Sequence, residues 1–279
     1  MARVECRLCG SETSEKFRRT VMARHDVGYH ECATCGSLMT DAPTWLDEAY
    51  NAPFRGADTG AVLRAQMLQV ALPLIARATK LPKDAKVLDF GAGDGLLVRM
   101  LRDVGMDAYH ADKYVENVYA APFDFDPAQK YAMITAFEVY EHLPNPAQDI
   151  EAIFSLDPDV HVITTQLYRG QGADWDYLSV NSGRHVFFWS PRALRLVGEK
   201  RGYQVRSFPN QISFFHKRPI SGPASALLSF LFKKGAIRRP LLQAFGMALR
   251  DRRLIGQDND LINRLRREAN EARAQGASA

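Results

Sequence analysis

No run of about 18 apolar residues occurs anywhere in the 279-residue sequence, which excludes an expected membrane-spanning helix. The apolar stretch 224–232 is too short to cross a bilayer. The first residues, Met1-Ala2-Arg3-Val4-Glu5-Cys6, lack the apolar core of a secretory signal. Cysteine is scarce: there are four, none beyond position 35. A disulfide-stapled secreted fold would spread its cysteines along the chain, so a reducing, cytoplasmic setting is expected. Charge of one sign is also lacking. Lys+Arg total 36 against 32 Asp+Glu, and a net +4 is too mild to mark a nucleic-acid binder by itself. What is present is ordinary globular material, 46% hydrophobic and 24% charged, which excludes wholesale disorder. A chain of this size buries roughly 70–75% of its unfolded surface, enough for one large domain or two small ones.

The four cysteines form two Cys-x2-Cys-Gly pairs, Cys6/Cys9 before Gly10 and Cys32/Cys35 before Gly36. Each pair can make a tight turn that aims two thiolates at one ion, with glycine following where a positive φ is easiest. Four thiolates suit tetrahedral Zn²⁺, and a site closed by four ligands is structural, without chemistry at the metal. A redox dithiol would need a single Cys-x-x-Cys beside a βαβ pattern, which is missing here. His25 and His30, between the pairs, are expected to be surface or packing residues. Residues 1–45 carry Arg3, Arg7, Lys16, Arg18, Arg19 and Arg24 against Glu5, Glu12, Glu15, Asp26 and Glu31. With charges so nearly cancelled, nucleic acid is not favoured as the partner of this zinc-binding module.

Pro43, Pro53, Gly56 and Gly60 break periodicity across 45–60, which reads as a linker. Leu63, Met67, Val70 and Leu74 then follow helical spacing over 61–80, with Pro73 as a candidate kink. Together, 46–84 is a linker and connecting helix. The most informative segment begins at Lys86. Val87, Leu88 and Phe90 suit a buried parallel strand; Gly91, Gly93 and Gly95 form a Gly-x-Gly-x-Gly turn; 96–103 is an amphipathic helix capped by Gly105; and 107–112 is a strand ending in Asp112. Strand, glycine turn, helix, strand and terminal carboxylate make a βαβ nucleotide unit, in which glycines admit a ligand against the backbone and the acid accepts ribose hydroxyls. Asp89, inside the strand end, would repel a pyrophosphate but suits a cationic amino-acid ligand.

The stretch VLDFGAGDG (87–95) resembles the first motif of class I S-adenosylmethionine (SAM)-dependent methyltransferases. The resemblance implies an α/β, Rossmann-like fold with a seven-stranded sheet over 85–218. Gly91, Ala92, Gly93 and Gly95 would then line the methionine and ribose of SAM, Asp89 would help hold its ammonium, and Asp112 would grip the ribose. Asp124 and Phe125 occupy the place where this fold clasps the adenine. EVYEHLPNP (138–146) is similar to a stretch after the fourth strand of many small-molecule methyltransferases. This implies that Glu138 borders the cofactor and that His142 is a candidate base; Glu141 is the candidate orienter for it and for the second candidate base, His185. Further strands are expected over 130–138, 159–166, 202–208 and 211–216. Helices are expected from Pro146 and, with Ser190 as N-cap, from Pro191.

Residues 167–190 resemble a segment of methyltransferases associated with glycan and cell-envelope biosynthesis. Trp175, Tyr177 and Trp189 are candidates to stack on a sugar. Asp174, Asp176, Asn181 and Arg184 are candidate hydrogen-bonding groups, and His185 is a second candidate base. The cysteine pairs resemble the zinc-binding N-terminal domain of deoxysugar C-methyltransferases, whose further large C-terminal domain has no room in this length, which places O-methylation ahead. A helical extension is expected over 219–279, with helices near 224–232, 240–252 and 258–272. Basic clusters lie at Lys233-Lys234, Arg238-Arg239 and 250–253, and read as a solvated face or a peripheral contact with an anionic membrane or phosphate. The expected function is SAM-dependent methylation of a small-molecule acceptor, a sugar or glycan precursor. The competing readings are an RNA or protein methyltransferase that uses the zinc module for recognition, and a non-catalytic SAM-binding scaffold.

Overall fold

The computed structural model describes residues 4–51, 59–209 and 211–233, and beyond them 244, 254, 257–258, 260–265 and 268. In chain order the strands are β1 (Thr13–Val21), β2 (His25–Cys32) and β3 (Leu38–Thr40), followed by helices α1 (Leu46–Asn51) and α2 (Thr59–Ala78). Then come β4 (Lys86–Phe90), α3 (Leu96–Arg102), β5 (Asp107–Ala111), β6 (Met133–Phe137), α4 (Pro146–Phe154) and β7 (Val160–Thr164). The last elements are β8 (Phe187–Phe188), α5 (Pro191–Lys200), β9 (Gln204–Ser207), β10 (Ile212–His216) and α6 (Gly222–Leu231).

The larger sheet has the order β5-β4-β6-β7-β10-β9. Its first four strands are parallel, whereas β10 runs antiparallel to both β7 and β9. Side chains alternate between its faces with the two-residue period of a strand. Val87, Met133 and Phe214 enter a core formed with Leu68 and Leu72 of α2, Val98 of α3 and Leu231 of α6. Their neighbours Leu88, Ile134 and Phe215 enter the opposite core with Ile153 of α4 and Leu194 of α5. The architecture is thus α/β with helices on both faces. The sequence pointed to seven strands; among the described residues this sheet has six, and a single parallel bridge joins His110 to Asp124. Local chemistry explains the difference. Pro127 offers no N–H, and the Asp126 side chain accepts from Ala128 N at 2.9 Å, so the chain turns away after one pairing.

The smaller sheet, ordered β1-β2-β3-β8, is antiparallel throughout. Its last strand comes from the 167–190 segment, so the cysteine module is completed by residues far along the chain. The expected linker at 45–50 is in fact built structure. Trp45 is buried, donates from Nε1 to Gly183 O at 2.7 Å, and packs with Tyr29, Leu38, Tyr177 and Phe188. The first helix expected in the extension appears as α6. The helix expected at 240–252 and the basic clusters beyond Lys233 lie outside the described residues, apart from residue 244. Asp258 is buried and docks on α3 through a two-pronged pair with Arg102, each contact 2.8 Å. No described helix is long and apolar enough to cross a membrane.

Candidate active site

The glycine turn follows β4 at the carboxyl end of the parallel strands, where open α/β sheets take their ligands. Gly91, Gly93 and Gly95 all have positive φ (74°, 57° and 85°). Their surroundings separate them. A Cβ on Gly91 would stand 2.6 Å from Val139 Cγ2, and one on Gly95 would stand 2.6 Å from Asn117 Oδ1. At Gly93 a Cβ would meet nothing within 4 Å. Gly91 and Gly95 therefore admit protein neighbours, whereas Gly93, with Ala92 beside it, borders open space of the kind a ligand fills. Asp112 braces this turn from the end of β5. Its Oδ2 accepts from Gly93 N at 2.9 Å, and its Oδ1 accepts from the Tyr114 and Val115 amides at 2.8 and 3.0 Å. Oδ2, with one bond, keeps acceptor capacity for a hydroxyl.

Asp89 sits in the interior near the end of β4, placed to act on a ligand through backbone or water rather than by direct contact. It is only 3% exposed, and its Oδ1 accepts from Thr135 Oγ1 at 2.6 Å. Burial pushes its pKa up to about 7, against the pull of the Thr135 hydrogen bond. Asp124 is joined to the turn through a residue the sequence reading passed over: His110 Nε2 donates to Gly93 O at 2.7 Å, and its Nδ1 lies 3.5 Å from Asp124 Oδ1. Asn117 also donates to Asp124 Oδ1, at 2.8 Å. The Phe125 ring rests against Tyr131. His110 was discoverable, since it precedes Asp112 by two residues and so shares its strand face.

Val139, which touches the glycine turn, belongs to the segment after β6 that carries the candidate acids and bases. Glu138 holds a left-handed φ of 53°, a costly conformation for a residue with a side chain. It is pinned by Thr164, which accepts from its amide at 3.1 Å and donates to its Oε1 at 2.8 Å. Burial, then the nearby Glu141 carboxylate, push the Glu138 pKa up to about 7. Residues Tyr140–His142 form one 3₁₀ turn. Glu141 is fully buried, its pKa raised by burial against His185 and a 2.5 Å hydrogen bond that its Oε1 accepts from Tyr177. His142 donates from Nδ1 to Arg184 O at 3.0 Å, and His185 donates from Nδ1 to Tyr177 O at 2.7 Å. The two rings meet edge to face at 4.9 Å. Burial, then His185, push the His142 pKa down to about 3.

Glu141 lies with both candidate histidines, one ligand atom of each within 4.8 Å of the others, and its Oε1 accepts from the hydroxyl of Tyr177, whose carbonyl holds His185. One expectation needs correction here. Trp189 is not a sugar platform: it is fully buried and donates from Nε1 to Tyr140 O at 2.9 Å. Tyr177 is also buried, whereas Trp175 is half-buried and Asp174, Asp176 and Asn181 are exposed. Arg184 donates to Ala49 O at 3.0 Å and lies over Tyr50, which in turn stacks on Tyr114 at 5.8 Å. No local pattern announces this long-range bridge between α1 and the loop after Asp112.

The four cysteines converge as expected. Their sulfurs lie within 4.8 Å of one another, with Cys6–Cys35 at 3.6 Å and Cys9–Cys32 at 3.5 Å. Gly10 N donates to Cys6 O and Gly36 N to Cys32 O, closing both turns at positive-φ glycines. His25 and His30 instead pair with Glu48 and Asp41.

Residues 63–207, just over half the chain, match the sequence family described as a methyltransferase domain. The chain belongs to this family. It is a SAM-dependent methyltransferase, and the glycine turn and Asp112 lie within the matched region. No curated protein matches the sequence. Among solved structures, the methyltransferase resembles the Burkholderia thailandensis 1,6-didemethyltoxoflavin-N1-methyltransferase (14% identity, TM-score 0.47, 73% of this chain and 100% of that one). It also resembles the methyltransferase domain of bacterial CtHen1-C (20% identity, TM-score 0.36, 55% and 100%). A third similar structure is magnesium protoporphyrin IX methyltransferase from Synechocystis PCC 6803 (15% identity, TM-score 0.41, 62% and 94%).

Gly93→Ala is expected to keep the fold, at a cost of about 1–2 kcal/mol for its left-handed backbone, while weakening SAM binding. Gly91→Ala, which adds a clash with Val139, should lower the melting temperature further. Paired calorimetry of binding and of unfolding checks both, and equal SAM affinity in Gly93→Ala and wild type would contradict the assignment. A second test concerns Asp89. Because its folded pKa is raised from 3.8 to about 7, the folded state keeps a proton that the unfolded chain has released across that window. Stability should therefore fall as pH rises from about 4 to about 7. Asp89→Asn should flatten that slope in urea titrations, whereas an unchanged slope would refute the buried neutral acid.

Proposed function

We propose that the protein transfers a methyl group to a hydroxyl of a small molecule, with a sugar or glycan precursor as the acceptor class. The observation that carries this reading is the meeting of Glu141, His142 and His185 at the carboxyl edge of the sheet, joined to the glycine turn through Val139. The open face at Gly93 and the spare acceptor capacity of Asp112 fit the ribose and methionine portions of SAM. Ala92, Gly91 and Gly95 complete the turn, Asp124 supports it through His110, and Phe125 keeps its proposed place near the adenine. When bound, SAM supplies a methyl group already activated by its sulfonium.

The chain's own groups then have three tasks. The turn and Asp112 fix one reactant, and the 138–142 and 183–186 segments present groups to the other. Alignment of that kind supplies much of a methyl-transfer rate. An alcohol acceptor must also lose a proton. His185 suits that task, because its Nδ1–H is engaged by Tyr177 O and its Nε2 keeps a lone pair. His142, held neutral down to about pH 3, is too weak a base to lead. Glu141 positions His185 by way of Tyr177, and Glu138 is a further acid close to both.

The proposal extends to Cys6, Cys9, Cys32 and Cys35 as a structural zinc site. The observed sulfur separations of 3.5 and 3.6 Å approach the edge of about 3.8 Å that a tetrahedron with Zn–S near 2.3 Å requires. Such an ion would act at a distance, since Cys35 O accepts from Ser190 Oγ and so anchors the segment bearing His185. A cytoplasmic location and a glycan partner belong to the same reading.

Incubation with isotope-labelled SAM and separate pools of sugars, glycan precursors, RNA and protein tests it by mass spectrometry. Label is expected on a hydroxyl of a small molecule. His185→Ala should still bind SAM but lose turnover by about 10²-fold or more. Label confined to RNA or protein would overturn the acceptor class, and SAM binding without transfer to any pool would favour a scaffold.

A further inference from the structure

Three electron-pair donors, a carboxylate oxygen and two imidazole nitrogens, converge at the site. One ligand atom from each of Glu141, His142 and His185 lies within 4.8 Å of the others. The Glu141 carboxylate is fully buried; its Oε1 has the Tyr177 hydroxyl, but its Oε2 has no hydrogen-bond partner. An anionic oxygen left bare in the interior is costly unless something of opposite charge meets it. The histidines are arranged to complement it. Each donates Nδ1–H to a main-chain carbonyl, Arg184 O or Tyr177 O, which fixes the tautomer and leaves Nε2 as a bare acceptor. Metal-ligating histidines are held in this way, with the far ring nitrogen tied down by a carbonyl or carboxylate.

We propose that Glu141, His142 and His185 form a binding site for a divalent cation, separate from the cysteine cluster. Two imidazoles and a carboxylate suit a first-row transition ion such as Mn²⁺ or Fe²⁺, and three ligands leave coordination positions for an acceptor. Glu138, one 3₁₀ turn away, is a further acid close to them. The ion's role, though not its binding, rests on the methyl-transfer reading. With the ion bound, His185 Nε2 is a ligand rather than the base, and the ion would hold the acceptor hydroxyl and stabilise the negative charge on its oxygen as the proton leaves to solvent. The new O–C bond then forms as the C–S bond breaks, and the sulfonium becomes a neutral thioether; no oxidant or reductant is needed. Acceptors with a second oxygen beside the reacting hydroxyl, such as vicinal diols, would be favoured because both oxygens can reach one ion.

The test is titration of the full-length protein, loaded with zinc at its cysteines and dialysed, with MnCl₂, reading free Mn²⁺ by electron paramagnetic resonance. Mn²⁺ is the probe because thiolates favour softer ions. One equivalent should bind, with affinity reduced more than about tenfold in Glu141→Gln and in His185→Ala. Glu141→Gln keeps the side chain's shape, and should it fail to fold, His185→Ala, whose ring is half-buried, decides alone. No binding by the folded wild type, or wild-type affinity in the folded variants, would overturn the site. Methyl transfer undiminished in excess chelator would overturn the ion's role and leave the methyltransferase reading standing. Mn²⁺ binding without transfer to any acceptor would do the reverse.

Discussion

The main-chain N–H and C=O of Val186 join the two halves of the molecule. Its N–H donates to Glu141 O at 2.8 Å, at the carboxyl edge of the large sheet. Its carbonyl accepts from Thr40 N at 3.1 Å and from Arg7 Nη2 at 2.6 Å, both in the cysteine-bearing half. Arg7 stands between Cys6 and Cys9 and also donates to Pro144 O at 3.0 Å, just past His142. One guanidinium therefore reads the positions of both segments that carry the candidate histidines. His185 is one residue from this joint, and the turn holding Glu141 and His142 hangs from it. A charged donor on a carbonyl is a stronger tie than a neutral one, which suits a joint that must hold its neighbours within fractions of an ångström.

The reacting edge depends on that tie because its own groups repel one another. Glu141 is a buried acid whose carboxylate raises the pKa of half-buried Glu138, and two imidazoles face them through lone pairs. Such a cluster would open if its backbone were free. It is clamped on one side by Thr164, which straightens Glu138 into a left-handed conformation, and on the other by Val186 and Trp189, which bind the carbonyls of Glu141 and Tyr140. The cofactor side is braced as well: Asp112 and His110 both hold Gly93, and Val139 fills the space left by Gly91.

Much of this was legible in the sequence where the signal is local. The strand–glycine turn–helix–acid run over 86–112 folds as read, because three positive-φ positions admit little but glycine. Ser190 caps α5 with a 2.9 Å bond from Ala193 N, and the cysteine pairs converge, each within a few residues of chain. What was not legible depends on distant pairing. The β1–β2 hairpin carries no glycine-rich turn and mixes its charges on both faces. β8 is two residues long and becomes a strand only by meeting β3. Trp45 and Trp189 read as linker and ligand platform, since nothing local reveals that Gly183 and Tyr140 supply carbonyls for their ring N–H groups. The sheet's missing strand turns on a proline and an aspartate whose effect appears only beside His110.

The central claim is that the cysteine-bearing half holds the reacting edge in place through the Val186 joint. Hydrogen–deuterium exchange of an Arg7→Met variant measures this directly, because the four cysteines and every candidate catalytic group are left intact. Faster exchange in 183–190 and 139–143, with β4, β6 and β7 protected as in the wild type, is the expected result. An increase confined to residues 4–36, with 183–190 and 139–143 unchanged, would contradict the claim.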